Sequence, residues 1–207
     1  RDCCITVHPL IYSCWKRPAG LRPYVALSAG CSWPVVGGRL AAVRPVHIGE
    51  CVMGRQEGVD ALLQRLQGAS DVDLLQGADD RVRFSRDFFD YSPVLSQQLR
   101  DVRADLVVRP HGLDGVERVV QACVHLGIPL TLRGAGSGNY GQCVPLEGGV
   151  VMLTSALRTI REIDSDTGVV TVEPGCSMRD LDQALRRHGR ELRLLPSTWR
   201  SASIGGF

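Results

Sequence analysis

The sequence predicts an α+β fold, and three observations carry that expectation. A short apolar strand, Leu106-Val107-Val108, is followed by a helix over 112–126 and a second strand over 128–132, a β-α-β unit with parallel strands. A glycine-dense loop, Arg133-Gly134-Ala135-Gly136-Ser137-Gly138-Asn139-Tyr140-Gly141-Gln142, leaves that second strand without opening a helix. Further on, short apolar runs at 149–153, 168–172 and 192–195 are interrupted by one more helix, at 177–188.

Each element has a local reason. Residues 1–52 carry six basic and two acidic side chains, five prolines and no sustained period, and are read as a disordered leader or as non-native sequence upstream of a start near Met53. Within them, 24–38 is apolar but too short for a bilayer and broken by Pro34, so no transmembrane segment is expected. Leu27-Ser28-Ala29-Gly30-Cys31 resembles a lipoprotein cleavage site without the apolar run a signal peptide needs. Residues 53–103 form a helical lead-in: Val59, Leu62, Leu63 and Leu66 repeat at helical spacing over 57–67, and Gly68 supplies the stop. Asp87-Phe88-Phe89-Asp90-Tyr91-Ser92-Pro93 is an aromatic, turn-forming connection. Pro110 ends the 106–108 strand, His111 is placed to cap the next helix, and that helix carries Val116, Val119, Val120 and Cys123 on one face before Gly127 stops it. Gly189 stops the 177–188 helix in the same way. A first residue other than Met and a last turn of Gly205-Gly206-Phe207 read as a fragment, incomplete at its C-terminus.

Composition removes several function classes. A 207-residue chain that is 44% hydrophobic can bury a sizeable core. A net charge of +2 with 5% aromatic residues gives neither the basic surface nor the stacking platforms of a nucleic-acid partner. Lys16 is the single lysine, which removes a P-loop hydrolase and a pyridoxal Schiff base. The eight cysteines contain no C-x-x-C and the five histidines are scattered, so neither a zinc site nor a disulfide scaffold is expected.

The chemistry concentrates in the glycine loop. Gly136, Gly138 and Gly141 satisfy G-x-G-x-x-G, yet a dinucleotide fingerprint must open a helix whose N-terminus receives the pyrophosphate. Here Cys143-Val144-Pro145 and Gly148-Gly149 follow, which start no long helix. Missing side chains still let successive N–H groups turn towards one anion, so a pyrophosphate fits, with the Ser137 hydroxyl and Asn139 amide as extra donors. Composition alone leaves open whether the loop is such a nest or a tight structural turn. A second stretch, Leu195-Pro196-Ser197-Thr198 through Ser201-Ala202-Ser203-Ile204-Gly205-Gly206, repeats the pattern of a strand end entering small residues. Thr171-Val172-Glu173-Pro174-Gly175 offers a third backbone edge.

The order R-G-A-G-S-G-N, G-G-V-V, I-D-x-x-x-G-V-V-T-V-E-P-G, H-G-R-E-L, L-P-S-T and S-I-G-G resembles the PCMH-type FAD-binding domain of the vanillyl-alcohol oxidase and p-cresol methylhydroxylase superfamily, and within it FAD-linked oxidases similar to the glycolate oxidase flavin subunit. The resemblance covers 104–207, with 87–94 as a family-like lead-in, and implies two α/β subdomains clasping FAD, truncated within the second. It implies that Gly134, Ala135, Gly136, Ser137, Gly138 and Asn139 hold the FAD pyrophosphate, that Gly141 and Gln142 approach the flavin, that Gly175 lines the cleft, and that Pro196, Thr198, Ser203, Gly205 and Gly206 form the opposite wall. Several relatives attach FAD through a histidine in the first loop; Ser137 stands at that place, so the bound FAD is expected to be non-covalent. The implied activity is oxidation of a 2-hydroxy acid or other alcohol by hydride transfer to FAD, with oxygen, a quinone or a partner protein accepting the electrons, in a cytoplasmic protein or one peripheral to a membrane. A flavin reductase similar to the enolpyruvyl-glucosamine reductases and a non-catalytic nucleotide-binding module are the alternatives.

No catalytic residue is nominated, since substrate in this superfamily is gripped mainly by a cap domain that these motifs do not include. Cys143 and Cys176 read as packing residues, His188 as part of a helix end, and Glu173 and Asp164 as solvent-facing strand residues rather than an acid/base pair. Arg186, Arg187, Arg190 and Arg193 read as a solvated basic face.

Overall fold

The computed structural model describes the backbone of residues 2–7 and all of 56–207, with a helix beginning at residue 55. Most of the leader expected over 1–52, including the 27–31 motif, lies outside the described residues. The part that is described, Asp2–Val7, is a strand, β1, whose Ile5-Thr6-Val7 run suits extended backbone. The remaining elements in order are α1 (Arg55–Leu66), β2 (Val72–Leu75), α2 (Ala78–Phe84), α3 (Pro93–Leu99), β3 (Leu106–Pro110), α4 (Leu113–Leu126), β4 (Leu130–Arg133), β5 (Val150–Leu153), β6 (Ile160–Asp164), β7 (Val169–Val172), α5 (Met178–Arg187) and β8 (Glu191–Leu192). Single 3-10 turns lie at Phe89–Tyr91 and Ile204–Gly206.

Two four-stranded sheets result, in the orders β2-β3-β5-β4 and β6-β7-β1-β8. The expected β-α-β unit is present, but its two strands are not neighbours: β5 lies between β3 and β4 and pairs parallel with both. The lead-in is not purely helical either, because β2 adds an antiparallel edge to β3 through Val72–Leu75. Leu106-Val107-Val108 and Val150-Val151-Met152-Leu153 are unbroken apolar runs because both sheet faces are covered. Strand alternation sends Leu106, Val108, Val150 and Met152 towards α1 and α4, where they meet Val59, Leu62, Val116 and Val119, while Val107, Val151 and Leu153 pack with Ala104 and Phe84 on the other face.

The helix ends follow from their residues. Gly127, at φ +63°, closes α4 and lets the Ile128 N–H reach back to the Cys123 carbonyl at 2.9 Å. The N-cap of α4 is Gly112, without a side-chain cap; His111 instead turns sideways, its Nε2 2.9 Å from Asp73 Oδ1 on the neighbouring β2. Ser177 caps α5 by accepting from the Asp180 N–H at 3.0 Å, and α5 buries Met178, Leu181 and Leu185 against Val170, Val172 and Ile204 in the second sheet's core.

Leu106 is 1% exposed at the centre of the first core, whereas Val124 on α4 is 51% exposed. Leu106→Ala is expected to cost about 2–5 kcal/mol of unfolding free energy, and Val124→Ala about 0.5 kcal/mol or less, as read from the urea midpoints of the two variants.

Candidate functional site

β4 ends at Arg133, and the glycine loop leaves it over its own buried side chain. The Arg133 guanidinium folds back beneath the loop, where Nη1 donates to the Arg86 carbonyl at 2.5 Å and to Cys143 Sγ at 3.0 Å and the group stacks over the Phe84 ring. Gly136 takes φ +67°, and a Cβ there would lie 2.1 Å from Arg133 Nη2, so both the conformation and the space require glycine. Arg133 is 9% exposed and makes no ion pair among the described residues.

The two glycine stretches meet at Ser203. A Cβ on Gly134 would fall 2.3 Å from Ser203 Oγ and 3.4 Å from Gly206 Cα, and the Ala135 N–H donates to Ser203 Oγ at 3.3 Å. The third edge joins them: the Gly205 N–H donates to the Pro174 carbonyl at 2.8 Å, and the Ile204 N–H to the Cys176 carbonyl at 2.8 Å. Residues far apart in the chain, 134–135, 174–176 and 203–206, thus form one backbone-to-backbone junction.

Beside this junction lies a cavity of about 380 Å³, lined by Phe88, Tyr91, Ser137, Gly138, Asn139, Ser197 and Thr198. No acidic side chain is among these lining residues. The amides of Gly136, Ser137, Gly138 and Asn139 find no acceptor among the described residues. Four consecutive free donors above an unpaired buried cation suit an anionic group such as a diphosphate.

The other expected site residues are placed differently. Gly141 and Gln142 shape the loop: the Gly141 N–H donates to Asp87 Oδ2 at 2.9 Å, and Gln142 Oε1 accepts from the Tyr140 N–H at 3.0 Å. Gly175 is pressed onto the 154–157 turn, its N–H donating to the Leu157 carbonyl at 2.6 Å and its missing Cβ 1.8 Å from the Thr154 carbonyl oxygen. Pro196 accepts from the Trp199 N–H at 3.0 Å in the turn that carries Thr198 to the cavity. Sequence reasoning passed over Phe88 and Tyr91, which are 64% and 81% exposed on the cavity. Their signal was the aromatic density of 88–91, read as a connection.

Several side chains settle into structural roles. Cys143 and Cys176 are buried, and burial pushes both thiols up, Cys176 to about 11, so neither is a thiolate near neutrality. Arg186 pairs with Asp182 one turn earlier on α5, at 2.8 Å. Asp164 is held below its usual range by the Thr167 hydroxyl and the amides of Thr167 and Asp166. For Glu173, burial raises the carboxyl, but the Thr159 amide and Arg161 guanidinium, each at 2.9 Å, outweigh it and leave the group below its usual range. Each carboxylate serves its own turn, and they do not form a pair.

A depressed folded-state pKa stabilises only while the carboxylate is ionised. Glu173→Gln is therefore expected to lower the melting temperature at pH 7, and the gap to the parent protein should close as pH falls below the unfolded carboxylate range, from about 4.5 downwards. A gap that persists unchanged to pH 3 would mean that the Glu173 charge contributes nothing.

Comparisons with known proteins agree with this geometry. A family model described as FAD binding domain matches residues 104–207. Glycolate oxidase subunit GlcD of Bacillus subtilis is 32% identical over 102 residues, 49% of this chain and 22% of that protein. A D-lactate dehydrogenase of Archaeoglobus fulgidus is 31% identical over 119 residues, 58% of this chain and 26% of that protein. The chain thus spans about a quarter of the length of these curated relatives. Among solved structures, an alkyldihydroxyacetonephosphate synthase superposes with a TM-score of 0.61 at 20% identity, covering 70% of this chain and 29% of that one, which fixes the fold. With half its residues matched by the model and two α/β units built as the motifs implied, the chain belongs to the FAD-binding-domain family, in its PCMH-type fold, and its cofactor is FAD.

Proposed function

We propose that this chain is the FAD-binding part of an oxidoreductase that oxidises a 2-hydroxy acid or other alcohol, with FAD held non-covalently. The observation that carries the proposal is the row of amides at Gly136–Asn139 without an acceptor among the described residues, in a loop whose Ser137, Gly138 and Asn139 line a cavity together with Ser197 and Thr198. In this reading, residues 104–207 are the cofactor domain, 53–103 its lead-in and 1–52 a leader apart from Asp2–Val7, which forms β1 between β7 and β8 of the second sheet.

The residues divide the work. Gly134, Ala135, Gly136, Ser137, Gly138 and Asn139 receive the diphosphate, the amides as donors and the Ser137 hydroxyl and Asn139 amide as supplements. Ser203, Gly205 and Gly206 hold the second wall against Gly134 and Pro174, Thr198 and Pro196 carry its rim, and Gly175 fixes the third edge. Gly141 and Gln142 keep the loop in register at its flavin side. Arg133 places positive charge beneath the loop. When bound, FAD supplies the two-electron redox chemistry, and the protein supplies position, polarity and exclusion of water.

Non-covalent attachment rests on Ser137, which cannot form the link a histidine makes, and on the engagement of the Cys143 thiol with Arg133 beneath the loop. The substrate class rests on the names of the relatives: glycolate oxidase, D-lactate dehydrogenase and a D-2-hydroxyglutarate dehydrogenase of Danio rerio. All three names denote oxidation at a carbon bearing a hydroxyl beside a carboxylate. Electrons would leave to oxygen, a quinone or a partner protein. No helix of the described residues is long and apolar enough to cross a membrane, and we place the protein in the cytoplasm or at a membrane surface.

Three measurements test this. The purified whole protein should show flavin bands between roughly 350 and 470 nm that pass entirely into the supernatant on acid precipitation; bands left in the pellet would overturn non-covalent attachment. Gly136→Val, which cannot hold φ +67° beside Arg133, should weaken FAD binding tenfold or more by flavin fluorescence titration. Bleaching of the flavin bands by D-lactate or glycolate under argon should identify the substrate class, and a screen of 2-hydroxy acids and simple alcohols that leaves the bands unchanged would overturn it.

A further inference from the structure

The glycine loop has no regular structure, and its shape must come from its neighbours. Most of that support comes from one short segment ahead of the sheet. Arg86, Asp87 and Phe88 are each bonded to a different part of the loop: the Arg86 carbonyl accepts from Arg133 Nη1 at 2.5 Å, Asp87 Oδ2 accepts from the Gly141 N–H at 2.9 Å, and the Phe88 N–H donates to the Gly138 carbonyl at 2.9 Å. Three consecutive residues thereby tie down the loop's start, middle and end.

Asp87 is the centre of this arrangement. It is 9% exposed, and its two carboxylate oxygens are used separately. Oδ1 accepts from the Phe89 N–H at 2.9 Å, which turns the chain into the 3-10 turn of 89–91, while Oδ2 holds Gly141. The same side chain therefore fixes the loop and aims Phe88 and Tyr91 at the cavity. Beneath them Phe89, fully buried, packs with Leu99 and Val144, anchoring the segment to α3 and to the chain just after the loop. A carboxylate accepting a backbone amide at each of its two oxygens is a strong and directional tie, and asparagine, the neutral side chain of the same shape, can accept at only one of its two terminal atoms.

The bonds made to the segment also account for which loop groups stay free. The Gly138 carbonyl is turned towards Phe88 and the Gly141 amide towards Asp87, and the amides of Gly136–Asn139 are the ones left without an acceptor among the described residues. Holding the loop in one shape with these donors unspent before the cofactor arrives avoids an ordering cost that a loose loop would meet on binding.

We propose that the 86–88 segment is a latch that keeps the glycine loop in its cofactor-receiving shape, with Asp87 as the positioning residue. Asp87 does not touch the diphosphate; it acts through Gly141 and through the path of 88–91. The inference rests on the reading of residues 134–139 as the diphosphate loop.

The test compares the whole protein, stripped of flavin, with its Asp87→Asn, Asp87→Ala and Gly136→Val variants by FAD titration, near-UV circular dichroism and visible circular dichroism of the bound flavin. Asp87→Asn, isosteric but able to accept only at one atom, should raise the FAD dissociation constant about tenfold and alter the visible dichroism, while the near-UV spectrum of the apo form stays that of the parent; Asp87→Ala should do more. A dissociation constant within twofold of the parent for Asp87→Asn, with Gly136→Val strongly weakened, would overturn the latch and leave the loop assignment standing. Parent-like binding by Gly136→Val would instead overturn the loop assignment itself. Should the Asp87 variants fail to fold, amide exchange in the parent apo protein decides: Phe88 and Gly141 should be protected and Gly136–Asn139 should exchange freely until FAD is added. Rapid exchange at Gly141 would overturn the proposal.

Discussion

Everything at the site depends on backbone approaching backbone without side chains between. At Gly134, Gly206 and Ser203 two segments seventy residues apart in the chain come close enough that a single Cβ on Gly134 would fall 2.3 Å from the Ser203 hydroxyl oxygen. Ser203, 4% exposed, stands in this junction, and its hydroxyl accepts from the Ala135 N–H. The first sheet delivers one side of the junction through β4, and α5 with the 172–176 edge delivers the other. The two backbones can meet beside the cavity because glycines leave no side chain between them at Gly134, Gly205 and Gly206.

That constraint explains why the charged groups near the site are occupied elsewhere. Glu173 is turned to Thr159 and Arg161, and Asp87 to Phe89 and Gly141. A carboxylate directed into a cavity lined by unpaired amides would compete with any anionic ligand. Arg133 is the exception in sign as well as placement, a buried cation without a carboxylate partner among the described residues. Burying such a charge is costly unless a counter-charge arrives, and a diphosphate on the loop above is well placed to supply one.

Much of this was legible from the residues. Gly127 announced the end of α4, the Val116, Val119 and Cys123 spacing announced its buried face, and the order of the two glycine stretches announced which backbones would meet. The failures have physical causes. Leu106-Val107-Val108 and the 128–132 run each looked like a strand, but nothing local says that β5, still to come, inserts between them; strand order is a tertiary property. Val72-Asp73-Leu74-Leu75 is short and contains an acid, so its edge position escaped notice. His111 looked like a cap because it precedes a helix, yet its ring is turned to Asp73 on the neighbouring strand and the N-cap position falls to Gly112. Asp87 and its aromatic neighbours read as a connection because their partners, Gly138 and Gly141, lie about fifty residues further along the chain.

The strand order of the first sheet also has a consequence for synthesis. While the ribosome has released only the β2–β4 portion, β3 has one partner, β2, and β4 has none, so two apolar edges stand open with a gap between them. The gap closes when the 150–153 segment emerges and enters it from the far side of the glycine loop. The nascent chain thus passes through an interval in which exposed strand edges can find the wrong neighbour, a hazard for slow non-local pairing. The loop that serves the cofactor in the finished molecule is, during that interval, the tether whose length sets how soon the missing strand arrives.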